Sequence, residues 1–198
     1  MKKLFTALVV CLLICTSVLT ACGSPEENFK KATQKFDNFT VEAKFEPNRS
    51  HCDGFYLIKA DKMLKFIEYS SYGHMITAYA KSENNQFFCY DFSNKKWKIE
   101  DNIDKFNGIT FYYIEQDVIA ALMHSFFDDY TVSNGEYVLK DSALSAYSEY
   151  FSGTLTSFRV TLKGDCFEKA IAIEQTGTER IQYTYTFSNF GSSKIDIK

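Results

Sequence analysis

The residues best suited to chemistry are few and scattered. Cys52, Cys89 and Cys166 are the thiols of the main body, and His51, His74 and His124 are the imidazoles. His51-Cys52-Asp53 invites a metal reading, with His74, Cys89 and His124 as further ligands. Zinc sites, however, use close pairs such as Cys-x-x-Cys or a helical His-x-x-x-His, and neither spacing occurs. A Cys-His nucleophile needs a thiol activated at a helix start or beside a base, and nothing marks such a place. There is no Gly-x-Ser-x-Gly elbow, glycine-rich phosphate loop or paired-carboxylate signature. Glu42 and Glu46 fall on the polar side of an alternating run and read as solvated. These residues predict a non-enzymatic protein with no metal and no cofactor. Three thiols leave at least one unpaired, and Cys52 and Cys89 lie several strands apart in a meander, so buried free thiols are expected over a disulfide.

A fourth cysteine has a different setting. Lys2 and Lys3 precede an almost unbroken apolar run from Leu4 to Val18, and Leu19-Thr20-Ala21-Cys22 closes it. The run is short for a bilayer span and no stop-transfer flank follows, so it reads as an export signal outside the fold. The box resembles the lipid-attachment site of bacterial lipoproteins. That resemblance implies a diacylglycerol on the Cys22 thiol, cleavage before it, and residence on the extracytoplasmic face of the bacterial cell membrane. Residues 1–21 are then a signal peptide and 22–198 one anchored domain, long enough for a real core.

Charge points the same way. The chain carries 22 Lys+Arg and 25 Asp+Glu. Loss of Lys2 and Lys3 leaves 20 against 25, a formal charge of −5. A mildly acidic surface excludes nucleic acid as a natural partner and offers little grip on anionic lipid. Membrane residence must come from the acyl chains, at about 0.8 kcal/mol per buried CH₂.

The elements follow from periodicity. Ser24-Pro25-Glu26-Glu27 is a helix start with a capping box, and Phe29, Ala32 and Phe36 share one helical face to about Asp37. From Phe39 the period becomes two: Phe39, Val41, Ala43 and Phe45 alternate with polar residues until Pro47-Asn48-Arg49-Ser50. Strand-like runs follow at Phe55 to Ala60, Met63 to Tyr69, His74 to Ala80 and Gln86 to Phe92, with a short one around Trp97 to Ile99. Glu115 to Phe127 returns to helical spacing, striped by Val118, Ile119, Leu122, Met123 and Phe126. Asn134-Gly135 predicts a hairpin between Tyr130 to Ser133 and Glu136 to Lys140. Asp141 to Phe151 is ambiguous. Thr154 to Lys163 and Cys166 to Gln175 flank Gly164-Asp165, and Ile181, Tyr183, Tyr185 and Phe187 alternate after them. Ile195 and Ile197 suggest a last short strand. The pattern predicts an α+β domain, mostly β. Its core is a large curled antiparallel sheet, an unclosed half-barrel, with the N-terminal and mid-chain helices against its concave face.

This arrangement resembles the LolA-like family of lipoprotein carriers and lipid-binding lipoproteins. The likeness rests on the lipidated start, the capped helix leading into Phe39 to Phe45, the aromatic meander and the mid-chain helix. The ending Tyr183-Thr184-Tyr185-Thr186-Phe187-Ser188-Asn189-Phe190-Gly191 completes it. The resemblance implies a cavity for a lipid or other hydrophobic ligand, lined by Phe45, Phe88, Tyr90, Ile119, Met123, Phe126, Ile181, Tyr183 and Tyr185. The same residues could instead fill a core, leaving an interaction or sensor module whose partner is another envelope protein. Met123 is favoured as a liner because methionine adapts to irregular ligands. Cys22→Ala is expected to release the domain from membrane fractions. Continued pelleting with membranes in high salt would refute the anchor.

Overall fold

The computed structural model describes residues 23–49, 52–60, 63–70, 74–81, 86–101, 104 and 117–196. Cys22, His51, Glu115, Gln116 and Ile197 lie outside them, so the lipid attachment expected at Cys22 falls outside the described residues.

Eleven antiparallel strands form a single sheet. They are β1 (Phe39–Arg49), β2 (Cys52–Ala60), β3 (Met63–Tyr69), β4 (Met75–Lys81), β5 (Phe87–Asp91), β6 (Lys96–Glu100), β7 (Tyr130–Ser133), β8 (Glu136–Leu139), β9 (Thr154–Lys163), β10 (Cys166–Thr176) and β11 (Glu179–Ser188). Their order is β6-β5-β4-β3-β2-β1-β11-β10-β9-β8-β7. Each half is a meander of sequence neighbours. The exception is the β1–β11 ladder, which joins the first strand to the last by pairing Thr40 to Glu46 with Ser188 to Gln182. The sheet does not close into a barrel; β6 and β7 are its edges.

Among the described residues three α-helices accompany it: α1 (Pro25–Thr33), α2 (Val118–Met123) and α3 (Asp141–Tyr147). Ser24 caps α1, its hydroxyl accepting from the Glu27 amide at 3.1 Å. The Glu27 carboxylate does not complete a capping box; it pairs with Lys31 one turn on at 2.6 Å, as Glu26 does with Lys30 at 2.5 Å. Such exposed pairs contribute a few tenths of a kcal/mol each. Helix α1 ends at Thr33, earlier than its stripe suggests, yet Phe36 still reaches the core from the following turn.

All three helices cover the same face, here the inner face. From α1, Phe29 packs on Tyr130, Tyr137 and Phe167 at centroid distances of 4.9, 5.2 and 5.8 Å. Tyr147 of α3 meets Phe158 of β9 at 6.3 Å. The inner residues of β1 (Phe39, Val41, Ala43, Phe45) and β11 (Ile181, Tyr183, Tyr185, Phe187) are buried, while their neighbours in sequence face out. Each fully buried aromatic of this kind contributes about 1.5–3 kcal/mol.

Three sequence expectations need correction. Pro47 does not end β1, which runs on to Arg49. Pro47 falls in a register shift between Lys44 and Arg49, where its missing N–H removes no ladder bond. The mid-chain helix has only six residues, because the chain leaves it at His124. No strand forms at Ile195. Instead the chain after β11 turns at Asn189 and Gly191, both with positive φ, and crosses the outer face. There the Ser193 amide donates to Asn38 Oδ1 at 2.8 Å, and the hydroxyls of Ser193 and Thr40 meet at 2.8 Å. Lys65 Nζ donates to the Asp196 carbonyl at 3.2 Å. The Asn134-Gly135 hairpin forms as expected, with φ of 51° and 78°.

Gly54 in β2 is a point of close approach. A Cβ there would lie 1.9 Å from the Ala43 carbonyl oxygen and 2.8 Å from Tyr69 Oη, which itself donates to that carbonyl at 3.2 Å. Both obstacles belong to the sheet, and one is backbone. Gly54→Ala is expected to lower unfolding free energy by about 3 kcal/mol or more, measured by urea titration. A change within 0.5 kcal/mol would show that the strands can part at no cost.

Candidate functional site

The described inner face is mostly filled by protein. Phe45 packs against Phe55 at 5.9 Å and Tyr183 at 5.6 Å, and Phe55 continues to Phe66 at 5.3 Å and Tyr185 at 5.7 Å. Ile119 is wholly buried and Ile181 nearly so. Five of the nine expected liners, Phe45, Ile119, Ile181, Tyr183 and Tyr185, are therefore brought together on one face, as tightly packed neighbours.

The other four are not with them. Strand register carries Val41 to Leu57, Phe66, Tyr79 and Cys89 on the inner face, and Thr40 to Ile58, Lys65, Ala80 and Phe88 on the outer. Phe88 and Tyr90 thus face away from Phe45. Tyr90 stacks edge-on with Trp97 at 5.5 Å, and Lys65 Nζ lies 5.0 Å over the same indole. The chain pattern was apolar at both parities in β5, so sequence could not choose the face. Met123 is 39% and Phe126 71% exposed. Phe126 lies beyond the end of α2 in extended backbone, so helical spacing no longer turns it inward.

Two buried carboxylates share the inner face with these aromatics, and both escaped the sequence reading. Asp117 precedes the apolar stripe of the mid-chain helix in sequence. It is the buried N-cap of α2, with φ 82°, accepting from the Val118 amide at 2.8 Å and the Tyr185 hydroxyl at 2.9 Å. Glu174 is 1% exposed and accepts hydrogen bonds from the hydroxyls of Tyr183 and of Thr176. Its position was legible in principle. Period two from Ala170 and Ala172 puts residue 174 inside, opposite Ile181. Each acid is bound to a tyrosine of β11, so together they fix that strand, α2 and β10. A buried carboxylate left without such a donor would cost several kcal/mol.

The open space lies at one end of this face. A groove of about 490 Å³ is lined by Lys163, Cys166, Phe167, Glu168, Phe187, Ser188, Asn189 and Phe190. Its floor is Phe167, Phe187 and Phe190, which belong to a larger cluster of rings. Phe36 meets Phe39 at 5.4 Å, Phe167 at 5.7 Å and Phe187 at 6.0 Å, and Phe190 stacks on Phe187 at 6.2 Å. The link from α1 to β1 supplies Phe36, the start of β10 supplies Phe167, and the β11 exit supplies Phe190. None of the nine expected liners is among these residues. The signal available in sequence was the Phe187-Ser188-Asn189-Phe190-Gly191 ending, whose turn at Asn189 and Gly191 folds Phe190 back onto Phe187. Lys35 and Asp165 form an ion pair of 2.6 Å beside the groove.

Cys52, Cys89 and Cys166 are all free, Cys52 buried and the others half-buried. Strands β3 and β4 stand between Cys52 and Cys89. His124 stacks on Tyr150 at 5.7 Å, and His74 is exposed. Among the described residues no group of three or more His, Cys, Asp or Glu is placed to hold a metal ion. Among them, too, no helix is long and apolar enough to cross a membrane. No protein-family model and no curated protein matches the chain. The fold and site define an open single-sheet α+β domain with an aromatic groove at one end.

Burial, helped by the nearby Glu68 carboxylate, pushes the Cys52 thiol up to about 12. The folded value lies above the unfolded one of about 8.5, so this contribution is whole below that pH and is lost as pH rises from there through about 12. Cys52→Ala is expected to flatten that alkaline loss of stability. In the native state iodoacetamide is expected to label Cys52 about a thousandfold more slowly than a free thiol at pH 8. Rapid native labelling of Cys52 would contradict the packing around it.

Proposed function

We propose that this chain is a membrane-anchored extracytoplasmic lipoprotein of LolA-like type. It binds a lipid or other hydrophobic ligand on the helix-covered side of its open sheet. The observation that carries the reading is the groove of about 490 Å³ floored by Phe167, Phe187 and Phe190, with Phe36 packed against Phe167 beside them. Its volume falls in the range of about 300–1,000 Å³ usual for small-molecule sites. Its floor is apolar, and its rim carries Lys163, Glu168, Ser188 and Asn189. An amphiphile fits that division, with its chain on the rings and its polar end at the rim.

The anchor supports the same reading. On this view Cys22 holds the domain at the outer surface of the bacterial membrane, and α1 begins three residues later. Nine residues of helix span roughly 14 Å, so the groove beside Lys35 stands close to the lipid surface. Ligand exchange then takes place at that surface.

The alternative, a module that docks an envelope protein, has an observation of its own. Phe126 is 71% and Met123 39% exposed, and they lie close in the chain beyond the core. The two readings separate by mutation. Cys22→Ser protein purified from its own host is expected to carry, or take up, a fatty acid or phospholipid by native mass spectrometry. Phe190→Asp is expected to weaken uptake about tenfold, or about 1.4 kcal/mol, and Phe126→Ser to leave it unchanged. Ligand-free protein that takes up no added lipid would sink the binding reading.

A further inference from the structure

Three side chains from two distant stretches converge at the rim of the groove. Lys35 Nζ lies 2.6 Å from Asp165 Oδ1 and 3.5 Å from Cys166 Sγ, and that sulfur lies 3.7 Å from the same carboxylate oxygen. Lys35 and Cys166 are 131 residues apart in sequence. Their meeting is not a chance of two loose side chains. Phe36, the residue after Lys35, is wedged among Phe39, Phe167 and Phe187, and Phe167 is the residue after Cys166. The aromatic floor therefore holds both backbones in place.

The thiol is also reachable and has no disulfide partner among the described residues. Cys166 lines the open groove and is half-buried, so a molecule as small as peroxide can touch the sulfur. It stands on β10, whose neighbours are β9 and β11, whereas Cys52 and Cys89 stand on β2 and β5. Among the described residues, the amine beside Cys166 is that of Lys35.

We propose that Lys35 and Cys166 form a covalent nitrogen–oxygen–sulfur cross-link when the protein meets hydrogen peroxide. In the first step the thiol attacks one peroxide oxygen. The O–O bond breaks, S–H becomes S–OH, one water leaves, and sulfur gives up two electrons. A second peroxide takes two electrons from the lysine nitrogen. Nitrogen is joined to the sulfenic oxygen and two further waters leave. The ammonium proton goes to solvent, which frees the nitrogen lone pair, while Asp165 holds the nitrogen beside the sulfur. The chain gains one oxygen and loses two hydrogens. The bridge ties the α1–β1 link to the start of β10 beside the groove. A thiol reductant reverses it by breaking the S–O and N–O bonds, returning thiol, amine and water.

The full chain, purified under reducing conditions and then exposed to hydrogen peroxide, tests this by intact mass and peptide mapping. The expected product is a linked peptide pair containing Lys35 and Cys166, heavier by one oxygen less two hydrogens and separated again by dithiothreitol. Lys35→Arg keeps the charge and the contact with Asp165 but is expected to yield only unlinked sulfenic or sulfinic Cys166. Cys166→Ser is expected to yield no change at either site. An unlinked over-oxidised Cys166 in the unmutated protein, a Cys166 disulfide dimer, an unaltered thiol, or the same linked mass in Lys35→Arg would each overturn the proposal.

Discussion

The structure depends on the ladder between β1 and β11. Without it the chain is two separate meanders, one of six strands and one of five, each with an unpaired central edge. With it, Phe45 lies opposite Tyr183, Ala43 opposite Tyr185 and Val41 opposite Phe187. The small Ala43 leaves room for Phe55 and Tyr185 to meet over it at 5.7 Å. The tail after β11 also depends on this ladder, because it folds back onto Asn38 and Thr40 next to β1. A contact between the first and last strands closes nearly the whole chain, so its loop entropy must be met by many others formed with it.

That ladder joins the two meanders into one sheet with a single helix-covered face. All three helices lie on it, α1 and α3 through the rings of Phe29 and Tyr147 and α2 through aliphatic side chains. Two buried acids then bind the hydroxyl ends of Tyr183 and Tyr185, so rings that could slide in a purely apolar core are held in register. The consequence for function is a division of labour along the face. Its centre is packed and held by Asp117 and Glu174. Its end, where α1 gives way to β1 and the chain leaves β11, is open and floored by phenylalanines. A ligand reading belongs to the open end, and the central residues act as its support.

Much of this was legible from pattern. The capped α1, the strict alternation of β1 and β11, and the Asn134-Gly135 and Gly164-Asp165 turns are local signals. Local signals survive because propensity and tertiary demand agree there. The misreadings fall where they do not. In β5 both parities are apolar, so Phe88 and Tyr90 could be given to either face. In α2 the apolar stripe outruns the helix, and Phe126 was assigned to a face that its backbone never presents.

The sequence by itself determined most of the elements, their antiparallel succession, and the apolar residues of β1 and β11. Tertiary structure alone decided which residues share a site. Lys35, Asp165 and Cys166, or Phe36, Phe167 and Phe190, are brought together by strand register and by the return of the tail. Periodicity reports which way a side chain points relative to its own strand. It carries no information about which distant strand lies alongside, and that pairing is what makes a groove.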